Sequence, residues 1–293
     1  MTRSGFVALT GRPNVGKSTL TNAIVGAKVA IVSDKPQTTR RAIRGVATRP
    51  DYQLVLVDLP GVQRPRDALT ERMQRRVESE LGDSDAALMV VNAEQGIGPG
   101  DRFIASLLAR ASVPVIVAVN KIDRVHPGQT ASVLQAVSEL GVGEEFFPIS
   151  ARGGQGVETL VKHLVSLLPE GPFYFPVDER SDQAEEVLLA ELVREQVLRR
   201  TRQEVPHAVE VEIADIEQRR NDLVAVAAVM WVEADSQKGI LIGAGGRMIK
   251  SIGTAARREL ERELGCKVHL DLSVRVRKSW RTDERLLDRL GIE

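Results

Sequence analysis

The sequence predicts a doubly wound, mostly parallel α/β domain over residues 1–170, a linker over 171–182 and a smaller α+β domain over 183–293. Three observations predict this. Strand-length apolar runs alternate with helical stretches from Phe6 to Leu168, as in α/β folds. The alternation stops at Pro169, where PEGPFYFPVDERSDQ mixes prolines, glycine and charges in the manner of a linker. Beyond it the strands alternate apolar with polar residues, so only one sheet face is buried.

In the first half, residues 6–9, 54–58, 86–92, 113–120 and 147–149 read as strands. Several are apolar at nearly every position, which a parallel sheet covered on both faces requires. Residues 17–25, 68–81, 101–109, 129–140 and 157–168 carry helical spacing between them. In the second half, 185–203 reads as a helix, and 208–216 and 223–233 as strands joined by a polar turn at Asn221 and Asp222. Residues 247–264 form a helix with Ile249, Ile252, Ala256, Leu260 and Leu264 on one face. The last strand sets Val268, Leu270, Leu272, Val274 and Val276 against His269, Asp271, Ser273, Arg275 and Arg277.

Composition removes several functions. At 43% apolar and 27% charged, the chain is neither fibrous nor wholly disordered. Cys266 is the lone cysteine, so there is no intramolecular disulfide and no cysteine-cluster metal site. His126, His163, His207 and His269 lack ligand spacing, which removes zinc-protease and triad chemistry. No apolar run reaches the length of a membrane span, and the N-terminus meets Gly5 too early for a signal core, so a cytoplasmic protein is expected, working as a monomer. The net charge of zero hides an asymmetry: residues 178–235 hold 7 Lys and Arg against 15 Asp and Glu, whereas 238–281 hold 11 against 4. Such a basic block is a footprint for polyanions.

Residues 11–18, GRPNVGKS, match the phosphate-binding pattern GxxxxGK[ST] between a predicted strand and a predicted helix. In such a loop backbone amides point at phosphate oxygens and the helix N-terminus adds positive potential. Gly11, Arg12, Pro13, Asn14, Val15, Gly16, Lys17, Ser18 and Thr19 are the candidate cradle, with Lys17 on the β and γ phosphates and Ser18 on Mg2+. Asp58, Leu59, Pro60, Gly61 and Val62 end a buried strand, placing Asp58 near the magnesium shell and the Gly61 amide near the γ phosphate. In KPQTTRR, Thr38 or Thr39 supplies the hydroxyl that closes over the metal, and spacing does not choose between them. Lys17, Thr38, Thr39 and Gly61 are the candidate catalytic groups, and Ser18, Thr38, Thr39 and Asp58 the candidate metal ligands.

The base is chosen by Asn120, Lys121 and Asp123 in NKID, with Ser150, Ala151 and Arg152 covering it after the next strand. A carboxylate accepts from guanine N1 and N2, whereas adenine offers no N2 amine. Two such bonds at about 1.5–3 kcal/mol each give discrimination on the order of a hundredfold to ten-thousandfold. GTP and GDP are the expected ligands.

In the second half, Gly243, Ala244, Gly245 and Gly246 form a GxxG loop between a short helix and a long one. The order helix, strand, strand, helix, GxxG, helix, strand is that of a KH type II domain, which binds single-stranded nucleic acid. Lys238, Ile242, Arg247, Ile249, Lys250 and Arg257 join the loop as candidate RNA-binding residues, with Arg258 completing a basic collar.

With GRPNVGKS, QTTRR, DLPGV, NKID and Ser150-Ala151 in order, followed by GxxG, the chain resembles the Era family of GTPases over nearly its whole length. The resemblance implies a P-loop NTPase domain whose switch protein hydrolyses GTP with Mg2+, binds the 3′ end of small-subunit ribosomal RNA through the KH domain and assists 30S maturation. It also implies peripheral association with the cytoplasmic face of the inner membrane and a potassium ion at Asn14. Val62 stands where Ras-like enzymes carry a water-orienting glutamine, which implies slow hydrolysis by the protein alone. Ser-Ala-Arg at 150–152 departs from the commoner Ser-Ala-Lys. Two other readings stand beside this one: an RNA scaffold with a structural nucleotide, and a membrane-surface GTPase.

Overall fold

The computed structural model describes residues 2–62 and 67–292. The first domain holds strands β1 (Arg3–Thr10), β2 (Ile43–Arg49), β3 (Tyr52–Asp58), β4 (Ala86–Asn92), β5 (Val115–Asn120) and β6 (Glu145–Ile149) in the order β2-β3-β1-β4-β5-β6. All neighbours pair in parallel except β2 and β3. Helices α1 (Lys17–Val25), α2 (Ala68–Gly82), α3 (Pro99–Leu108), α4 (Pro127–Ser138) and α5 (Val157–Leu167) cover both faces, and β4 is buried at every position. Two apolar cores result, one on each side of the sheet. Strand β2 was not anticipated from the sequence. Its polar residues and Gly45 weaken the strand pattern, and its antiparallel pairing with β3 supplies what the pattern lacks.

The segment after α5 is strapped to this domain. Gly171 N donates to Thr2 O, the Gln53 side chain bonds Phe175 O and the amides of Tyr174 and Phe175, and Val46 N donates to Arg180 O. The strap covers the open edge of β2, which would otherwise present unpaired backbone groups.

The second domain holds α6 (Glu185–Arg200), α7 (Val205–Ala208), β7 (Glu210–Arg220), β8 (Leu223–Val232), α8 (Asp235–Ile242), α9 (Arg247–Leu264), β9 (Lys267–Val276) and α10 (Glu284–Arg289). Its sheet runs β7-β8-β9, with β7 antiparallel and β9 parallel to the central β8. Helices α6 and α9 pack on one face through Leu189, Val193, Ile252, Ala256 and Leu260. This is the α+β half that the one-sided strands predict. Helix α6 is buried all round, including Glu191, Arg194 and Glu195, because its other side meets the first domain. After β9, Trp280, Leu286, Leu287, Leu290 and Ile292 close over Leu69 and Met73 of α2.

Candidate functional site

The parallel sheet places the ends of β1, β3, β5 and β6 along one rim, where a cleft of about 590 Å3 opens. Ligands bind at this rim in open α/β sheets. The cleft is lined by Lys17, Ser18, Thr39, Gly61, Asn120, Asp123 and Arg152, which lie far apart in sequence.

The loop from β1 to α1 wraps around Lys17. Its buried ammonium donates to Gly11 O at 3.0 Å and Arg12 O at 3.2 Å, bracing the cradle from within. Burial lowers the Lys17 pKa to about 8, against the charge of Asp58, which raises it. Gly16 is required at φ 103°, and an added Cβ would stand 2.3 Å from Asn120 Nδ2. Asn120 closes the frame by donating to Val15 O at 2.9 Å and accepting from Ala151 N at 2.9 Å. It is thereby a brace between the phosphate loop and the base end of the cleft, a role its place in NKID did not disclose.

Asp58 is fully buried, and among the described residues neither carboxylate oxygen has a donor in hydrogen-bonding geometry. Burial pushes its pKa up to about 6 despite the opposing influences of the Lys17 charge and the Ser18 hydroxyl. Ser18 Oγ and Thr39 Oγ1 lie 3.1 Å apart. Two hydroxyls beside an unpaired buried carboxylate form an all-oxygen donor set suited to a magnesium ion. Thr38 does not join them: its hydroxyl donates to Lys35 O at 2.6 Å. Both threonines line the cleft, and it is Thr39 whose hydroxyl stands beside Ser18.

The Arg12 guanidinium pairs with the buried Asp101 at 2.8 Å, which is compatible with a cradle built from backbone amides. Val15, Leu59 and Val62 are buried in the cores, Pro60 is buried, and Pro13 packs against Gly61. With Val62 in the core, its side chain cannot orient water. Thr19 lines the cleft, and Asn14 Nδ2 donates to Asp34 O at 2.5 Å.

At the base end, Ser150 Oγ donates to Asp123 Oδ1 at 2.6 Å, and this bond holds the Asp123 pKa below its ordinary value. Asp123 is therefore an ionised acceptor at neutral pH. Lys121 spans from this end back to Asn14 O at 2.7 Å. Residues 31–35, Gln37, Asn92, Glu94, Gln95 and Arg124 also line the cleft and were missed, since only their spatial position marks them.

A second concavity of about 360 Å3 lies beside the GxxG loop, between Ile249, Lys250, Gly253, Thr254 and Arg257 of α9 and Leu270 and Leu272 of β9. Its floor is apolar and its rim basic. Gly243 takes φ 70°, and an added Cβ would sit 2.7 Å from Met248 Cβ, so the turn from α8 into α9 demands glycine. Ala244 and Gly245 are exposed, as are Arg247, Lys250 and Arg257, while Gly246 caps α9. Ile242 packs on the domain core and Lys238 lies on α8; neither lines the concavity. Thr254, Leu270 and Leu272 were not singled out from sequence, although the last two sit on the apolar face of β9.

A P-loop, an ionised carboxylate held at the far end of the same cleft and a GxxG groove in one chain define a two-domain GTPase with a KH domain. Family models agree: one described as a 50S ribosome-binding GTPase matches residues 6–121, and one described as a KH domain matches residues 204–281. GTPase Era of Mycolicibacterium smegmatis is 49% identical over 99% of this chain and 98% of its own length, and that of Lactobacillus helveticus is 46% identical over 99% and 96%. The crystal structure of a single-residue variant of Aquifex aeolicus Era bound to GDP·AlF4− superposes with a TM-score of 0.95 at 35% identity, covering 99% of each chain. That of Era with MgGDPNP and nucleotides 1506–1542 of 16S ribosomal RNA gives 0.96 at 35% identity, covering 100% of this chain and 99% of that one. The chain belongs to the Era family of GTPases.

Proposed function

We propose that this protein is a GTP-hydrolysing switch that binds the 3′ end of small-subunit ribosomal RNA through its KH groove and assists maturation of the 30S particle. The observation that carries the reading is the cleft, which sets Ser18 and Thr39 at one end, with Asp58 buried behind them beside Ser18 and Lys17, and the Ser150-held carboxylate of Asp123 at the other. Lys17 and the loop amides bind the triphosphate, Asp123 accepts from the guanine edge, and Thr39, beside Ser18, closes over the metal when the γ phosphate is bound. Ser18, Thr39 and Asp58 would hold Mg2+, which neutralises charge developing on the phosphates. The Gly61 amide faces the γ phosphate.

A potassium ion is assigned to Asn14: with Nδ2 engaged by Asp34 O, the side-chain oxygen is the atom left for a monovalent cation. RNA bases lie in the apolar groove while Arg247, Lys250 and Arg257 meet phosphates. The related structure bound to MgGDPNP and the 16S fragment supports both ligands. No helix among the described residues is long and apolar enough to cross a membrane. Peripheral contact with the inner membrane would be made by the same basic collar.

The test is phosphate release from GTP in a large excess of ATP, with and without a 3′-terminal ribosomal RNA oligomer and anionic liposomes. Turnover indifferent to ATP and raised by the RNA is expected. Equal competition by ATP refutes the base assignment, absence of RNA stimulation favours the scaffold, and stimulation by liposomes alone favours the membrane-surface reading.

A further inference from the structure

The two arginines that end QTTRR do not line the cleft, yet Arg40 is fully enclosed and Arg41 largely so. Arg40 is 2% exposed and passes into the second domain. There it donates to Glu210 Oε2 at 2.6 Å, to Val209 O at 2.7 Å and to His207 O at 2.9 Å, with its guanidinium over the Trp280 ring. Arg41 pairs with Glu191 at 2.7 Å. Glu191 is held in turn by Arg194 through a two-pronged pair at 2.6 and 3.1 Å, and Arg194, fully buried, donates from the same fork to the Thr38 carbonyl. Burial works against the charge of Glu210, but Arg41, Arg194 and Arg40 together hold its pKa well below the carboxylate range. The N-terminal end of the same segment is tied down too: Ile31 packs into the apolar core of the second domain, and Val32 N donates to Glu195 Oε1 at 3.1 Å. The chain from Ile31 to Arg41 is thus fastened at both ends to the KH domain, and α6 makes three of the fastenings.

We propose that Arg194, on the first helix of the KH domain, is a positioning residue for GTP hydrolysis that sets Thr39 against Ser18 by gripping the carbonyl of Thr38. This rests on the reading of Thr39 as the hydroxyl that closes over the metal. A carbonyl held by a buried guanidinium fixes the peptide plane between residues 38 and 39, and with it the Thr39 N and Cα from which the side chain departs. Arginine is suited to the task because its planar fork meets the Glu191 carboxylate and the carbonyl together. A lysine in its place retains the charge but not the fork. The acidic residues of α6 and β7 are then a socket in which a segment of the GTPase domain is seated. Helix α6 also packs against α9, which carries one wall of the RNA groove, so the element that grips Thr38 is in contact with the element that meets RNA.

The experiment measures kcat for GTP, the Mg2+ concentration giving half-maximal turnover, GDP affinity and Tm for the full-length protein and for Arg194→Lys, Thr39→Ala and the double variant. Arg194→Lys is expected to lower kcat roughly tenfold and to raise the Mg2+ requirement, with GDP affinity within about twofold of wild type, since GDP has no γ phosphate for Thr39 to report. In the double variant, Arg194→Lys is expected to add nothing to Thr39→Ala, because one residue acts through the other. Arg194→Gln, too short to meet both Glu191 and the Thr38 carbonyl, is expected to repeat the pattern and serves if Arg194→Lys does not fold. Unchanged kcat and Mg2+ dependence in either variant of Arg194, a parallel loss of GDP affinity, or additive effects in the double variant would overturn the proposal while sparing the GTPase assignment. Full activity of Thr39→Ala would overturn it together with the switch reading.

Discussion

Asp58→Asn should make the nucleotide-free protein more stable. In the absence of metal its carboxylate is fully buried without a hydrogen-bond donor among the described residues, and it titrates at about 6 instead of 3.8. At about 1.4 kcal/mol per pKa unit, that displacement corresponds to about 3 kcal/mol against the ionised form at neutral pH. The variant does not recover all of it, because Lys17 loses the charge that partly offsets its own burial and the amide is itself a buried polar group. A net gain of about 1–2 kcal/mol remains, or roughly 2–8 °C in Tm for a domain of this size.

The pH dependence supplies a second check, with a definite sign. Because the folded-state pKa is raised, the folded protein binds the proton more tightly than the unfolded chain, and wild-type stability rises as pH falls from above 6 towards 3.8. The advantage of asparagine should therefore be full at pH 7.5, shrink through pH 6 and be gone near pH 4. Thermal unfolding in EDTA, followed by circular dichroism across that range, measures it. The same variant should lose the Mg2+-dependent part of its GTP affinity, so substitution gains stability at the cost of the ion. An asparagine variant no more stable than wild type at pH 7.5 without metal, or one whose advantage does not fade in acid, would refute the claim that burial of an unpaired charge sets the properties of this position.

Further substitutions separate the remaining roles. Thr39→Ala should reduce GTP turnover roughly 10- to 100-fold while Thr38→Ala, which loses only a bond to Lys35 O, stays within about threefold; steady-state phosphate release decides, and the reverse order would sink the assignment. Exchanging potassium for sodium should slow hydrolysis in wild type and make no difference in Asn14→Ala, as measured at matched ionic strength; equal rates for wild type in the two salts would remove the cation from Asn14. Replacing Ala244-Gly245 by two aspartates should weaken RNA binding on the order of tenfold or more, through repulsion of phosphate, and leave RNA-free hydrolysis intact. Filter binding at physiological salt reads it, and unaltered affinity would move the RNA path elsewhere.

What the sequence disclosed and what it hid divide along a physical line. The phosphate loop, Asp58, NKID and the GxxG turn were legible because each is a short run whose backbone demands particular residues: Gly16 has no room for a Cβ, and Gly243 must take a positive φ. The central strands were legible because burial on both faces leaves a continuous apolar run. Strand β2 was not, since its polar residues and Gly45 give it neither an apolar run nor a clean alternation. The different surroundings of Thr38 and Thr39 escaped for another reason. Thr39 stands beside Ser18 in a segment that also contacts a helix far along the chain, through Arg194 on the Thr38 carbonyl, and no local spacing records that.

The charge asymmetry shows how a correct count can carry an incomplete meaning. Residues 178–235 are acidic in sum, and beside a basic block they suggest a surface divided between repelling and attracting polyanions. Yet Glu191, Glu195 and Glu210 are buried, and their charges are met by Arg41, Lys28 and Arg40 of the first domain. They therefore subtract little from the potential at the RNA groove, where Arg247, Lys250 and Arg257 face solvent. A helix such as α6, with glutamates and arginines among its apolar residues, reads as a solvated amphipathic surface when no partner is in view. Ion pairs enclosed in this way add little net stability over an apolar interface, but removing one partner strands the other at a cost of about 3–5 kcal/mol. That asymmetry suits a junction that has to keep one register between switch and KH domain, because a shift by a single residue would leave several buried charges unpaired together.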